Sequence, residues 1–346
     1  MTRLKLGTRG SKLALWQAKT VAATIRDRTD QACELVVIST TGDQLANANL
    51  STVGGKRVFV KEIEHALIRG SIDLAVHSAK DMPAEIPEGL VVRAVLPRED
   101  PRDALILPAD GPYRPGRSPE ETMASQGSAP AVGSGSVRRV AQLTRCWPHA
   151  RFRLVRGNVG TRLAKLDAGR YDMLVLAAAG LRRLGLANRI SNCLNPDLCV
   201  PSPGQGIIAI ESRADDVDTA RALSAINDEA SWLSLAAERE LVSALGGGCQ
   251  VPIGALARWS DDGDLRLSAV VASLDGTQLL RREAATPVDP DPRRQEHGAR
   301  QLGARVAGLL LGAGAGPILE SARRETAPID ADAPPAASSP TKGTTT

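Results

Sequence analysis

Apolar segments of strand length alternate with helix-patterned segments twice over, and this restricts the fold more than any other feature of the 346-residue chain. In the first round, Leu4-Lys5-Leu6 reads as a short strand and Gly7 to Ser11 as a turn-rich loop. Ser11 caps a helix whose apolar residues are Leu13, Trp16, Val21 and Ile25. Strands are expected at 34–39, 73–77 and 90–96, and Phe59, Ile63, Ala66 and Leu67 recur at helical spacing. The second round starts after Pro97-Arg98-Glu99-Asp100-Pro101. It gives strands at 104–107, 131–133, 153–155 and 172–178, helices from Val137 and over 159–166, and a strand at 206–211. Such βαβ patterns build parallel or mixed sheets with helices on both faces. Residues 108–130, rich in Pro, Gly and Ser, read as one long surface loop.

The last third has a different grain. A helix over 230–245 carries Trp232, Leu235, Ala236, Leu241 and Leu245, and Gly246-Gly247-Gly248 ends it. Strands at 252–259, 264–273 and 277–285 are separated by Asp261-Asp262-Gly263 and Asp275-Gly276, and a helix over 295–311 closes the unit. The expected architecture is two α/β domains and a small α+β domain with an antiparallel sheet. Domain 1 takes residues 1–97 and 206–224, domain 2 residues 98–205 and domain 3 residues 228–325. Residues 326–346, mostly Pro, Ala, Ser and Thr, read as a disordered tail.

Composition removes several function classes. No apolar run reaches about 18 residues, and Met1 to Leu6 lacks the apolar stretch of a signal peptide, so no membrane association is expected. Two Phe, four Trp and two Tyr are too few for a base-stacking platform, and a net charge of +4 is too small to draw polyanions at large. No nucleic-acid partner is therefore expected. Five cysteines, an odd number without scaffold spacing, point to a reducing cytoplasm.

Four clusters carry chemistry: Arg9 with Ser11; His77 to Asp81; Arg138, Arg139, Arg156, Arg162 and Arg183; and Cys249 behind three glycines. The first three follow strand ends, where ligands bind in open α/β sheets. Ser136 opens a helix in the same position. Five arginines exceed what one phosphate needs and suit a ligand with many carboxylates. Each residue also has a plainer role available. A single surface arginine is more often solvated. His77 is more often structural, and Asp81 more often a cap. Gly133-x-Gly135 lacks the third glycine of a dinucleotide loop, since Arg138 stands there. Cys193-x5-Cys199 matches no zinc spacing, and no metal is expected. Cys249 is the exception, because the glycines before it let a thiol reach out of its domain.

The motifs Gly7-Thr8-Arg9-Gly10-Ser11-Lys12-Leu13-Ala14-Leu15-Trp16-Gln17, Val53-Gly54-Gly55-Lys56 with Phe59-Val60-Lys61-Glu62, and Ala75 to Pro83 (AVHSAKDMP) occur in order. Arg98-Glu99-Asp100-Pro101-Arg102-Asp103, Arg156-Gly157-Asn158-Val159-Gly160-Thr161-Arg162, Pro203-Gly204-Gln205-Gly206 and Gly247 to Gly254 (GGCQVPIG) follow. On these segments the chain resembles the porphobilinogen deaminase (hydroxymethylbilane synthase) family from about residue 3 to 325.

The resemblance implies two periplasmic-binding-protein-like α/β domains around a cleft and a third domain with a loop cysteine. It implies a transferase whose dipyrromethane cofactor is attached to Cys249 by a thioether. Four porphobilinogen molecules are added to that primer head to tail, each losing ammonia, and hydrolysis releases hydroxymethylbilane for heme and porphyrin synthesis. Asp81 is implied as the catalytic carboxylate, suited to the azafulvene cation left when ammonia departs. Lys80, Ser11, Ser136, Arg138, Arg139 and Asp81 are implied at the cofactor, and Arg9, Arg156, Arg162, Arg183, Lys56, Phe59 and Gln205 at the substrate. Uroporphyrinogen-III synthase is the implied recipient of the product, and a monomer the implied state. Six pyrrole units carry twelve carboxylates, which explains the need for buried cations.

Two departures from the family pattern are visible. Gly135 stands where relatives often have a hydroxyl residue, and Thr52 where some have lysine. Two rival readings are an anion-binding protein without catalysis, and a thiol hydrolase in which His77 activates Cys249.

Overall fold

Strand β1 (Leu4–Thr8) runs parallel to both β2 (Cys33–Val37) and β3 (Leu74–Ser78) in the computed structural model, which describes residues 3–40, 60–110, 116–247 and 251–326. Helix α1 (Lys12–Thr29) joins β1 to β2, and α2 (Lys61–Ile68) precedes β3. Strand β4 (Leu90–Val95) closes one edge of this sheet, but it pairs with a strand from much later in the chain. That strand, β10 (Ile208–Arg213), is antiparallel to both β3 and β4. The order is therefore β2-β1-β3-β10-β4. Leu6, Val21, Ile25, Leu74 and Ile210 fill the core between this sheet and α1.

Between β4 and β10 the chain builds a second sheet of the same design. It contains β5 (Asp103–Ile106), β6 (Ala131–Ser134), β7 (Arg151–Leu154), β8 (Met173–Ala177) and β9 (Asn192–Cys193). Their order is β7-β6-β8-β5-β9, with β6 parallel to β7 and β8 and β5 antiparallel to β8 and β9. Both faces are covered: Leu105, Met173 and Val175 join one core cluster, and Ala104, Ile106, Leu174 and Leu176 another. This is why β5 and β8 read as unbroken apolar runs. Helices α3 (Pro119–Ala124), α4 (Val137–Cys146), α5 (Val159–Asp167) and α6 (Ala178–Arg183) belong to this unit, and α7 (Val217–Ser224) follows β10.

The C-terminal unit packs α8 (Glu229–Ala244) and α9 (Pro292–Gly312) on the antiparallel sheet β11 (Ile253–Trp259), β12 (Leu265–Ala272) and β13 (Leu279–Thr286). A Cβ at Gly303 would collide with the Ala237 carbonyl, so glycine sets how closely α9 approaches α8. A last helix, α10 (Ala315–Thr326), folds back onto the same core through Ile318 and Leu319. No single described helix is long and apolar enough to cross a membrane.

Several expectations are corrected. Residues 108–130 contain α3, started by a capping box: Ser118 accepts from the Glu121 amide, and the Glu121 carboxylate accepts from the Ser118 amide. The S-x-x-E signal was present in the sequence, masked by the surrounding Pro and Gly. The closing helix begins at Pro292, and α10 follows it. Trp16 is not core: it is 38% exposed, and Gln17 occupies the buried position, paired with Ser78 at 2.8 Å. The tail from residue 327 onward lies outside the described residues.

Candidate active site

The chain passes from the first sheet to the second through residues 96–102 and returns through 194–207, and the two crossings touch. The Glu99 amide donates to the Gly206 carbonyl at 3.0 Å. Gly206 has φ +89°, and a Cβ there would collide with the Glu99 carbonyl. Beside it, Gly204 (φ +72°) packs on the backbone of Ala79 and Lys80, with only 3.0 Å available to a Cβ. Two glycines therefore press Gln205 into the junction, where it is 1% exposed.

Gln205 links both units. Its amide nitrogen donates to the Pro101 carbonyl at 2.7 Å and to Asp103 at 2.8 Å. Its amide oxygen accepts from Lys80 at 3.3 Å and from Arg139 at 3.5 Å. Lys80 and Asp81 lie in a single 3-10 turn, Ala79–Asp81, immediately past the carboxyl end of β3. Since β1 is parallel to β3, Arg9 and Ser11 leave the same edge of the sheet. Ser11 caps α1 by accepting from the Ala14 amide at 3.2 Å.

The second sheet supplies its residues in the same way. Ser136 caps α4 after β6, Arg156 follows β7, and Arg183 ends α6 after β8. Arg138 and Arg139 turn inward to the buried Asp103, at 2.7 and 2.9 Å. Burial alone would raise the Asp103 carboxyl. The charges of Arg138 and Arg139, with hydrogen bonds from Arg138 and Gln205, hold it well below the usual carboxylate range. Arg138 also donates to the Val200 carbonyl and Arg139 to the Val175 carbonyl. Two cations against one anion leave this buried floor positive.

Arg162 and Arg183 face the opposite situation. Arg162 donates from Nε to the Gly157 carbonyl at 2.7 Å. Burial and then the charge of Arg139 push its guanidinium down to about 10, with Asp81 opposing. Arg183 donates to the Gly206 carbonyl at 2.6 Å, and burial pushes it down to about 10 against the pull of Glu99. Both are desolvated cations that a carboxylate would relieve. A Cβ at Gly135 would lie 2.9 Å from the Val155 carbonyl and within 3.8 Å of the Arg162 guanidinium. The glycine noted as a departure thus lets the loop close beside Arg162.

The structure therefore brings Lys80, Gln205, Arg139 and Arg138 into one network, with Asp81 and Arg162 in electrostatic contact. His77 is elsewhere in function: it is buried on β3, with Nε2 3.2 Å from Glu211. Lys56, Phe59, Thr52 and Cys249 lie outside the described residues. Among the described residues, no three His, Cys, Asp or Glu side chains group as a metal site. Asp103 and Glu238 were missed as organising residues, although a charge opening an all-apolar strand and a charge on the Leu235–Leu241 helix stripe were signals for both.

Two family models match the chain: "Porphobilinogen deaminase, dipyromethane cofactor binding domain" over residues 4–221, and "Porphobilinogen deaminase, C-terminal domain" over 232–312. A porphobilinogen deaminase of Ralstonia nicotianae is 44% identical over 338 residues, covering 97% of this chain and 94% of that protein. One of Syntrophomonas wolfei is 42% identical, covering 94% of this chain and all of its own length (100%). The chain belongs to the porphobilinogen deaminase family. Among solved structures, the periplasmic VFT2 domain of Bordetella pertussis BvgS is 16% identical with a TM-score of 0.37, covering 64% of this chain and 86% of that one. The fold class rests on the strand orders above.

As a porphobilinogen deaminase, the chain is a transferase of tetrapyrrole biosynthesis that condenses porphobilinogen on a dipyrromethane cofactor. The donors present fit that polycarboxylate. Arg162 and Arg183 are cations held away from water, and the buried floor has more positive than negative charge. When bound, the cofactor supplies the nucleophilic pyrrole carbon to which each substrate is joined.

Proposed function

We propose that Asp81 is the catalytic carboxylate of this porphobilinogen deaminase and that the cofactor is anchored by a thioether at Cys249. The observation that carries the reading is the 3-10 turn that holds Asp81 beside Lys80, which donates to Gln205 at 3.3 Å at the junction of the two sheets, with the charge of Asp81 felt by Arg162 of the second unit. A carboxylate at that point stabilises the cation left on porphobilinogen when ammonia departs. It also accepts from the pyrrole N–H and can move a proton to the leaving amine. Arg162 takes an acetate or propionate of the substrate.

Lys80, Ser11, Ser136, Arg138 and Arg139 serve the cofactor end of the cleft, the two buried arginines by setting a positive floor. Arg9, Arg156, Arg183, Lys56, Phe59 and Gln205 serve the substrate and the growing chain. Domain 1 comprises residues 1–97 and 206–224, domain 2 residues 98–205 and domain 3 residues 228–325. The touching crossings at Glu99 and Gly206 support that division, since they are the two connections between the first two units. The enzyme acts as a cytoplasmic monomer and hands its product to uroporphyrinogen-III synthase. Free thiols at Cys33, Cys146, Cys193 and Cys199 suit a reducing compartment.

Replacing Asp81 by Ala tests the assignment. Porphobilinogen consumption is expected to fall by at least a hundredfold with an unchanged melting transition. Retained turnover would remove Asp81 from the chemistry, and a collapsed transition would make it structural.

A further inference from the structure

Trp16 lies at the place where α1 of the first sheet meets α6 of the second. A Cβ at Gly180 would sit 3.7 Å from Leu13, so the two helices approach closely there. Three residues further along each helix, the Arg183 guanidinium carbon lies 5.8 Å from the centroid of the Trp16 ring. The same guanidinium is also held by a hydrogen bond, because it donates to the Gly206 carbonyl at 2.6 Å. Arg183 is 8% exposed, whereas Trp16 is 38% exposed.

This arrangement is unusual for both residues. A tryptophan on a helix that buries Ala18, Val21 and Ile25 normally joins them, yet here it is left partly in water. The arginine is desolvated and, among the described residues, no carboxylate is within ion-pair distance of it; Glu99 acts on it through its charge. An indole face, like a backbone carbonyl, attracts a guanidinium without neutralising it. The fork is held by a carbonyl and a ring, and its positive charge remains available to a ligand.

We propose that Trp16 is a positioning residue for porphobilinogen binding, holding the Arg183 guanidinium from the opposite wall of the cleft so that it meets a substrate carboxylate already oriented. The proposal rests on the reading of Arg183 as a substrate-binding residue. The carboxylate partner is a pyrrole acetate or propionate, the only anionic groups porphobilinogen carries. Preorganisation of this kind lowers the ordering cost of binding and leaves the chemical step unchanged.

The test is a double-mutant cycle on the cofactor-loaded enzyme, reading KM and kcat for porphobilinogen together with the melting transition. Trp16→Leu is expected to raise KM by roughly three- to tenfold with kcat little changed, which is the range of one cation–π contact. Trp16→Phe, which keeps a ring face, is expected to recover most of the loss. In an Arg183→Leu background, Trp16→Leu is expected to add nothing further. An unchanged KM in Trp16→Leu, or effects that add in the double variant, would overturn the proposal while Arg183 kept its role. A lowered transition with KM unaltered would make Trp16 structural and overturn it too. If Arg183→Leu itself leaves KM unchanged, the underlying reading of Arg183 fails, and that outcome is distinct from the others.

Discussion

Arg98 donates to both carboxylate oxygens of Glu238, at 2.6 and 3.3 Å, and so ties the crossing between the two α/β sheets to helix α8 of the C-terminal unit. Glu238 is fully buried and accepts two further bonds, from the Gly204 amide at 2.6 Å and the Ala257 amide at 2.7 Å. Both crossings between the α/β sheets and strand β11 of the third sheet meet on this one carboxylate. Since Gly204 adjoins Gln205 and Lys80, the same contact steadies the site.

Glu238→Ala leaves Arg98 and two backbone amides buried without their acceptor. A loss of about 3–5 kcal/mol of stability is expected, measured by denaturant unfolding. A loss below about 1 kcal/mol would show that the joint is held by apolar packing instead.

Asp103 gives the fold a dependence on acid. Its folded-state pKa is depressed below the unfolded value, so its contribution is fully present above about pH 4, the ordinary carboxylate value. The contribution is lost as pH falls from there toward the depressed folded value. Asp103→Asn should lower stability at pH 7 by about 3–5 kcal/mol, because two buried arginines lose their counter-charge. It should also flatten the loss of stability below pH 4. An unchanged acid profile would place the pH sensitivity elsewhere.

Arg162 contributes in the opposite direction. Its guanidinium is pushed down to about 10, so the folded state bears a penalty at neutral pH that is lifted only as pH rises through that value. Arg162→Leu should therefore leave the melting transition within a few degrees of the parent or raise it, while KM for porphobilinogen climbs at least tenfold. A destabilised variant with normal KM would mean that Arg162 is structural.

His77→Gln should keep most porphobilinogen consumption, because the imidazole bonds Glu211 inside the sheet at 3.2 Å. The cost should appear as stability, about 1–3 kcal/mol, through the half-satisfied Glu211. Loss of turnover with intact stability would revive a base at this position.

Much of this was legible in the sequence, for physical reasons. Strands such as Asp103–Ile106 and Met173–Ala177 are buried on both faces and leave an unbroken apolar run, while Gly263 and Gly276 mark the hairpin turns with φ of +83° and +74°. Strand ends advertised Lys80, Asp81, Ser136 and Arg183, because ligand loops follow the carboxyl ends of parallel strands. What stayed hidden depends on contacts between distant segments. Nothing local says that Arg138 and Arg139 turn inward to Asp103, or that β10 inserts between β3 and β4. The sequence places Trp16 among the apolar residues of α1 with Leu13, Val21 and Ile25 and does not say what it faces. Only the packing of α1 against α6 reveals that it faces Arg183.

Intact mass of the purified chain, with and without the Cys249→Ala substitution, examines anchor, cofactor and substrate together. The parent chain is expected to be heavier than its sequence by two pyrrole units and to gain further units in steps when porphobilinogen is added. The Cys249→Ala chain is expected at the bare sequence mass. A parent chain at the bare mass, or an adduct that survives the substitution, would contradict the thioether-anchored primer.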